Sequence, residues 1–247
     1  MAELKRAISF IHNNFGENYY ELADVYTMIA GNQLQLNKID EAIKYLEKSI
    51  DIYDNSYQEN PESKALSFIE LGNCYFKKNE WGLSLKFYQE SISLVQSDFQ
   101  PEGLIENPSS DNLVKSMAVY EALKRKSLVF EDLFQKSDDF KYLEAQLSCY
   151  ELMIETIDLG KQELIELESK MIYNEKGYDV FKSAISASFE AFSNSGDSIY
   201  LEKAFQYCYR SKANALIDKI YYANHRNTTN DSHNQLLLKV SDLKTAI

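Results

Sequence analysis

One helical hairpin is written twice in this chain, and that duplication constrains the fold more than any other feature. The offset that carries Asn37 to Asn79 also carries Ile39 to Trp81, Ala42 to Ser84 and Leu46 to Tyr88. The same offset pairs Ser49 with Ser91, Ile50 with Ile92, Ile52 with Leu94 and, upstream, Ile29 with Leu71 and Ala30 with Gly72. Small residues at fixed spacing from large ones mark helices whose axes approach closely, the large side chains filling the grooves beside the contact. Repetition at such a period belongs to helical arrays in which each hairpin buries its apolar face on the next. Composition agrees. The 8 Gly and 3 Pro are too few for the frequent turns of a sandwich or barrel, and 45% apolar residues can fill a continuous core.

These paired positions resemble a tetratricopeptide array. The resemblance implies an all-α, right-handed, tetratricopeptide-like helical solenoid with elongated C-terminal repeats. The period exceeds the roughly 34 residues of a minimal unit, lengthening both helices by about a turn, as in the kinesin-light-chain-like branch of these repeats. Residues 3–15 read as the second helix of a hairpin, because Leu4, Ala7, Ile8 and Phe10 precede Leu46, Ser49, Ile50 and Ile52 by that same offset. The array thus opens mid-hairpin, either on a natural cap or after repeats outside the chain. Repeat one is expected at 18–36 and 39–57, and repeat two at 61–78 and 80–98. A Pro-containing loop over 100–110 leads to repeat three at 111–135 and 139–159, and repeat four follows at 164–193 and 197–222. The small position advances from Ser84 to Leu143 and then to Ala204, so the late units are longer than the first two. Domain organisation follows: residues 1–98 carry a half repeat and two regular repeats, 99–222 the elongated hairpins, and 223–247 a polar linker and a short helix leading towards a downstream domain.

Charge narrows the function classes. A formal net charge of -12 argues against a phosphate-binding surface, so no nucleic-acid partner is expected. Lys124, Arg125 and Lys126 read as a solvated basic face. No stretch is apolar enough to span a membrane, and the N-terminal segment lacks a signal peptide's apolar run, so a cytoplasmic protein with no membrane partner is expected. Cys74, Cys149 and Cys208 lie apart inside helical patterns among apolar neighbours, which suits reduced, inert thiols. His12, His225 and His233 have no Cys or acidic pair at metal spacing, so no metal is expected. Glu163, Glu166 and Glu168 read as acids favouring a helix start rather than a catalytic pair. No Gly-rich phosphate loop is present. No cofactor and no catalytic constellation are expected, and the chain reads as a non-enzyme.

The last third of the chain carries a narrower likeness. Glu168-Ser-Lys-Met, a long helix ending in Phe192-Ser-Asn-Ser-Gly-Asp197, and the run from Tyr200 to Leu216 resemble the last repeat of bacterial TPR-CHAT proteins. Ala204-Phe205 and Arg210-Ser211-Lys212-Ala213 match that family's motif, while Tyr209 stands where it usually has Glu. The likeness is specific from Glu168 to Ile247 and loose over the remainder. It implies a caspase-like cysteine peptidase, related to separase, following Ile247 or on another chain; no such domain lies in this sequence. The chain would then be a regulatory or sensing arm, some relatives of this architecture serving bacterial defence. A free-standing scaffold with no peptidase is the other reading.

Binding is expected on the concave face of the array's first helices, where a protein or peptide would dock. The tetratricopeptide pattern lines it with Asp24, Thr27, Gly31 and Leu34 in repeat one, and with Leu66, Ile69, Asn73 and Phe76 in repeat two. Asn73 with Lys77 resembles part of the clamp that captures a peptide carboxylate. Its other basic or amide positions fall on Thr27 and Gly31, so the full clamp is missing. Leu66, Ile69 and Phe76 suit a more apolar partner.

Overall fold

Four turns carry the register of the hairpins. Asn37 and Asn79, equivalent positions of the two regular repeats, both adopt left-handed backbone with φ of 60° and 59°. Around each, the chain closes the preceding helix with the same pair of hydrogen bonds. Asn37 N donates to Leu34 O and Lys38 N to Gln33 O; Asn79 N donates to Phe76 O and Glu80 N to Tyr75 O. Asparagine tolerates this conformation better than other residues with a Cβ, and the bonds satisfy carbonyls a helix end leaves open. Asp138 (φ 53°) and Gly196 (φ 70°) also take left-handed backbone at the later turns, where Asp138 N donates to Phe134 O and Gly196 N to Phe192 O.

The computed structural model describes residues 2–16, 19–56, 60–163 and 167–226. All regular structure among them is helical. The helices are α1 (Ala2–Phe15), α2 (Tyr20–Gln35), α3 (Ile39–Asn55), α4 (Pro61–Lys77), α5 (Trp81–Val95), α6 (Met117–Ser137), α7 (Phe140–Glu163), α8 (Leu167–Ser195) and α9 (Ile199–Arg226). A short 3-10 turn at Ser110–Asn112 lies in the connector between α5 and α6. The chain divides into two compact units, residues 1–163 and 164–247. In the first, α2 packs on α3, α4 on α5 and α6 on α7; successive hairpins meet through α3–α4 and α5–α6, and their first helices through α2–α4 and α4–α6. In the second, α8 packs on α9.

The duplicated positions do the packing. Ala30, Leu34, Ala42, Leu46, Leu71 and Cys74 form one buried cluster that joins the first hairpin to the second. Ser84, Leu143 and Ala204, the advancing small position, are all buried. Where repeat one sets Ala30 beside its large position Leu46, repeat two has Gly72 and Tyr88, and the exchange is compensatory. A Cβ on Gly72 would lie 2.4 Å from the Tyr88 ring. The Tyr88 hydroxyl then reaches Asn73 Oδ1 at 2.8 Å, and Ser84 Oγ donates to Gly72 O at 3.0 Å.

A triangle of hydroxyls ties three helices of the first unit together. Thr27 Oγ1 lies 2.9 Å from Ser49 Oγ and 2.8 Å from Ser67 Oγ, and Ser49 Oγ lies 3.0 Å from Ser67 Oγ. Ser49 also donates to Ala23 O at 2.9 Å. Buried hydroxyls satisfied among themselves avoid the desolvation penalty of an unmade bond, about 1–3 kcal/mol each.

Several boundaries differ from the sequence reading. In α1 the residue facing the core is Ile11, whereas Phe10 is exposed, because Leu22, Ala23, Ile52 and Tyr53 meet the helix one position further round. The third hairpin starts at Met117, not at 111. Ser116 caps it by accepting from Val119 N at 3.2 Å. Glu62 accepts from Ser116 Oγ and Ala118 N, placing a carboxylate at a helix N-terminus where the dipole favours it. The helix at 197–222 continues through Arg226, so the polar linker expected from 223 does not begin there. The short helix expected at 233–246 lies outside the described residues.

Candidate functional site

The exposed strip on the first helices is one step round from the expected one. On α2 it runs through Glu21, Met28, Asn32 and Gln35, with Asp24 and Gly31 at its margin. Met28 is 60% exposed. On α4 it runs through the exposed Leu66 and Lys77, with the half-buried Glu70 and Asn73 between them; Leu66 is 42% exposed. Because α2 packs beside α4, the two strips belong to neighbouring helices of one unit.

Each expected residue has a definite place. Asp24 accepts a hydrogen bond from the Tyr53 hydroxyl at 2.5 Å; burial first, and then this carboxylate, push the Tyr53 phenol up. Thr27 is half-buried and turns its hydroxyl into the triangle, away from any partner. Gly31 borders open space, since a Cβ there would meet nothing within 4 Å. Leu34 and Ile69 are buried, a correction to the expected lining. Phe76 is half-buried. Asn73 uses its carbonyl on Tyr88. Lys77 Nζ reaches Leu34 O at 2.9 Å, a cation closing the C-terminus of α2. Both clamp-like residues therefore hold the fold, and of the expected set Leu34 and Ile69 are buried while the other seven are half-buried or exposed.

Met28 and Glu70 were missed. The large-small pattern identifies the buried side of a helix but not the centre of the opposite side. The polar residues Glu21, Asn32 and Gln35, each on one stripe with Met28, were the available signal. The strip is weakly acidic, carrying Glu21, Asp24 and Glu70 against Lys77.

The two buried thiols are not set up for chemistry. Burial pushes Cys74 up to about 12 and Cys149 up to about 11. Such thiols stay protonated and unreactive at neutral pH. Cys208 is partly exposed. Native protein alkylated at pH 8 should therefore take label at Cys208 and little at Cys74 or Cys149, with all three labelled in denaturant; peptide mass spectrometry reads the difference. Among the described residues no group of His, Cys, Asp and Glu is placed to hold a metal. No described helix is long and apolar enough to cross a membrane. Glu163 ends α7, and Glu166 lies outside the described residues.

The basic run is not a solvated face. Lys124 is exposed, but Lys126 is wholly buried, since the helix turns its side chain about 200° from that of Lys124. Its ammonium donates to Glu106 O in the connector, and Gln89 Nε2 donates to Gly103 O at 2.6 Å and Glu106 O at 3.2 Å. Beside them Asn107 Nδ2 contacts Ser148 Oγ at 3.2 Å and Cys149 Sγ at 3.4 Å. Burial lowers Lys126 to about 8.

In α9 the run from Ala204 to Arg210 has two sides. Ala204 and Tyr207 are buried, and the Arg210 guanidinium sits 5.9 Å from the centre of the Phe181 ring on α8. Phe205 is 74% exposed and Tyr209 is 49% exposed.

No protein-family model matches the chain, and no curated protein matches it. Among solved structures, the crystal structure of BtubC (BKLC) from P. vanneervenii aligns with a TM-score of 0.43 at 11% sequence identity, over 86% of this chain and 87% of that one.

Proposed function

We propose that this chain is a non-catalytic protein-interaction module, a tetratricopeptide-like array whose α2 and α4 strip docks a protein or peptide. The observation that carries the reading is the exposed pair Met28 and Leu66 on two neighbouring first helices. Polar side chains nearby are spent on structure, as Thr27, Asn73 and Lys77 illustrate, which leaves apolar anchors and carboxylates to meet a partner. Anchors of that kind, rimmed by polar groups, carry most of the energy in protein interfaces.

Within this reading the partner system is a CHAT-type cysteine peptidase, for which the chain acts as the regulatory arm. The resemblance of the stretch from Glu168 to Ile247, with Ala204-Phe205 and Arg210-Ser211-Lys212-Ala213 at its centre, supports that step by analogy. A bait experiment in the source cell tests both levels. Capture of a caspase-like peptidase, or of its trigger, by the wild-type chain and its loss from a Met28→Asp, Leu66→Asp variant is the expected result. Capture of assembly components alone would leave a free-standing scaffold. Capture unaffected by the double substitution would move the docking surface elsewhere.

A further inference from the structure

The connector between α5 and α6 is held down in an unusual way. A loop of this length ordinarily runs over the surface, its backbone bonded to water. Here two side chains from the core reach out to its carbonyls: Lys126 and Gln89 converge on Glu106 O, and Gln89 also takes Gly103 O. One residue on, Asn107 fastens the loop to Ser148 and Cys149 of α7. Lys126 has no exposed surface at all, and its amine lies 5.8 Å from the centre of the Phe130 ring. An ammonium buried so completely is held at a cost that water would relieve, and the chain segment between it and water is the connector.

We propose that the connector is a proton-sensitive lid on Lys126, closed most firmly when the amine is neutral and lifted more often when it is charged. Closing desolvates the amine and opening returns it to water, so a proton bound at Nζ favours the open state. The titratable groups facing Lys126 are Cys149 on α7 and Glu106 on the connector; α5 contributes the uncharged Gln89. The Glu106 carboxylate is turned to its own loop, where it accepts from Glu102 N at 2.9 Å, and Cys149 stays protonated across the range concerned. Lys126 is thus the group that titrates. The sign follows from its depressed value: the closed state sheds its proton near pH 8 and the open state near that of a free lysine, about 10.4. The lid tightens as pH rises between the two and is constantly weakened below them. Because the connector joins the second hairpin to the third, its opening loosens the array at that joint.

Millisecond hydrogen exchange on the full chain, corrected for intrinsic rates, tests this. Protection over residues 97–116 should rise about 25-fold from pH 7 to pH 9.5, the ratio that linkage gives for those two pKa values. Lys126→Met should abolish the slope. Gln89→Leu should lower protection at every pH and keep the slope. A flat wild-type profile would overturn the proposal, as would a slope of equal size throughout α2 to α5 or one that survives in Lys126→Met. Should Lys126→Met fail to fold, the wild-type profile and Gln89→Leu decide the matter.

Discussion

Gly72→Ala should destabilise the protein by about 2 kcal/mol, as overpacking a close helix contact does. The same exchange on a solvent-facing helix would stabilise it by about 1 kcal/mol, because alanine loses less backbone freedom than glycine. The sign reverses here because the added methyl would meet Tyr88 Cε1 at 2.4 Å and Cδ1 at 2.7 Å, and Tyr88 is fully buried and cannot swing aside. The duplication supplies its own rescue. Position 30 already carries Ala opposite Leu46, so Gly72→Ala combined with Tyr88→Leu rebuilds in the second hairpin the pair found in the first. Urea denaturation of the two single variants and the double variant should show a favourable coupling above about 1 kcal/mol, since the residues touch. Additive losses would mean that the close approach does not exist.

Leu46→Ala should cost about 3 kcal/mol or more. Leu46 has no exposed surface and packs with Ala30, Leu34 and Ala42 of its own hairpin and with Leu71 and Cys74 of the next. Truncation removes transfer energy and leaves a void that helices bound on both sides cannot close, for which losses of about 2–5 kcal/mol are usual. The void lies between hairpins, so the variant should also loosen their coupling, read as a broader, less cooperative unfolding transition. A loss below about 1 kcal/mol would show that the site collapses freely and that the hairpins are not joined there.

What the sequence revealed depended on how locally each feature is encoded. The turns at Asn37 and Asn79 were legible as breaks because the repeat offset places an Asn between two patterned helices in both hairpins; their left-handed backbone is a finding of the structure. The buried pairs Ala42 with Ser84 and Leu46 with Tyr88 were legible because size alternation is a property of one helix. The outward strip was misplaced because Leu34 and Ile69 are buried and the Thr27 hydroxyl is turned inward by partners distant in sequence, Ser49 and Ser67. Lys126 was unreadable for the same reason. A lysine between Arg125 and Ser127 reads as surface, and only the carbonyl of Glu106, on the connector well before α6 begins, accounts for its place inside.

The docking strip is tested most directly by site-specific photo-crosslinking in the source cell. A photoreactive side chain would replace Met28, Leu66 or, as a control on the exposed side of α3, Lys44. Positions 28 and 66 should form covalent adducts with one and the same protein, and position 44 should not. Adducts with that protein from position 44, with none from 28 or 66, would contradict docking on the strip.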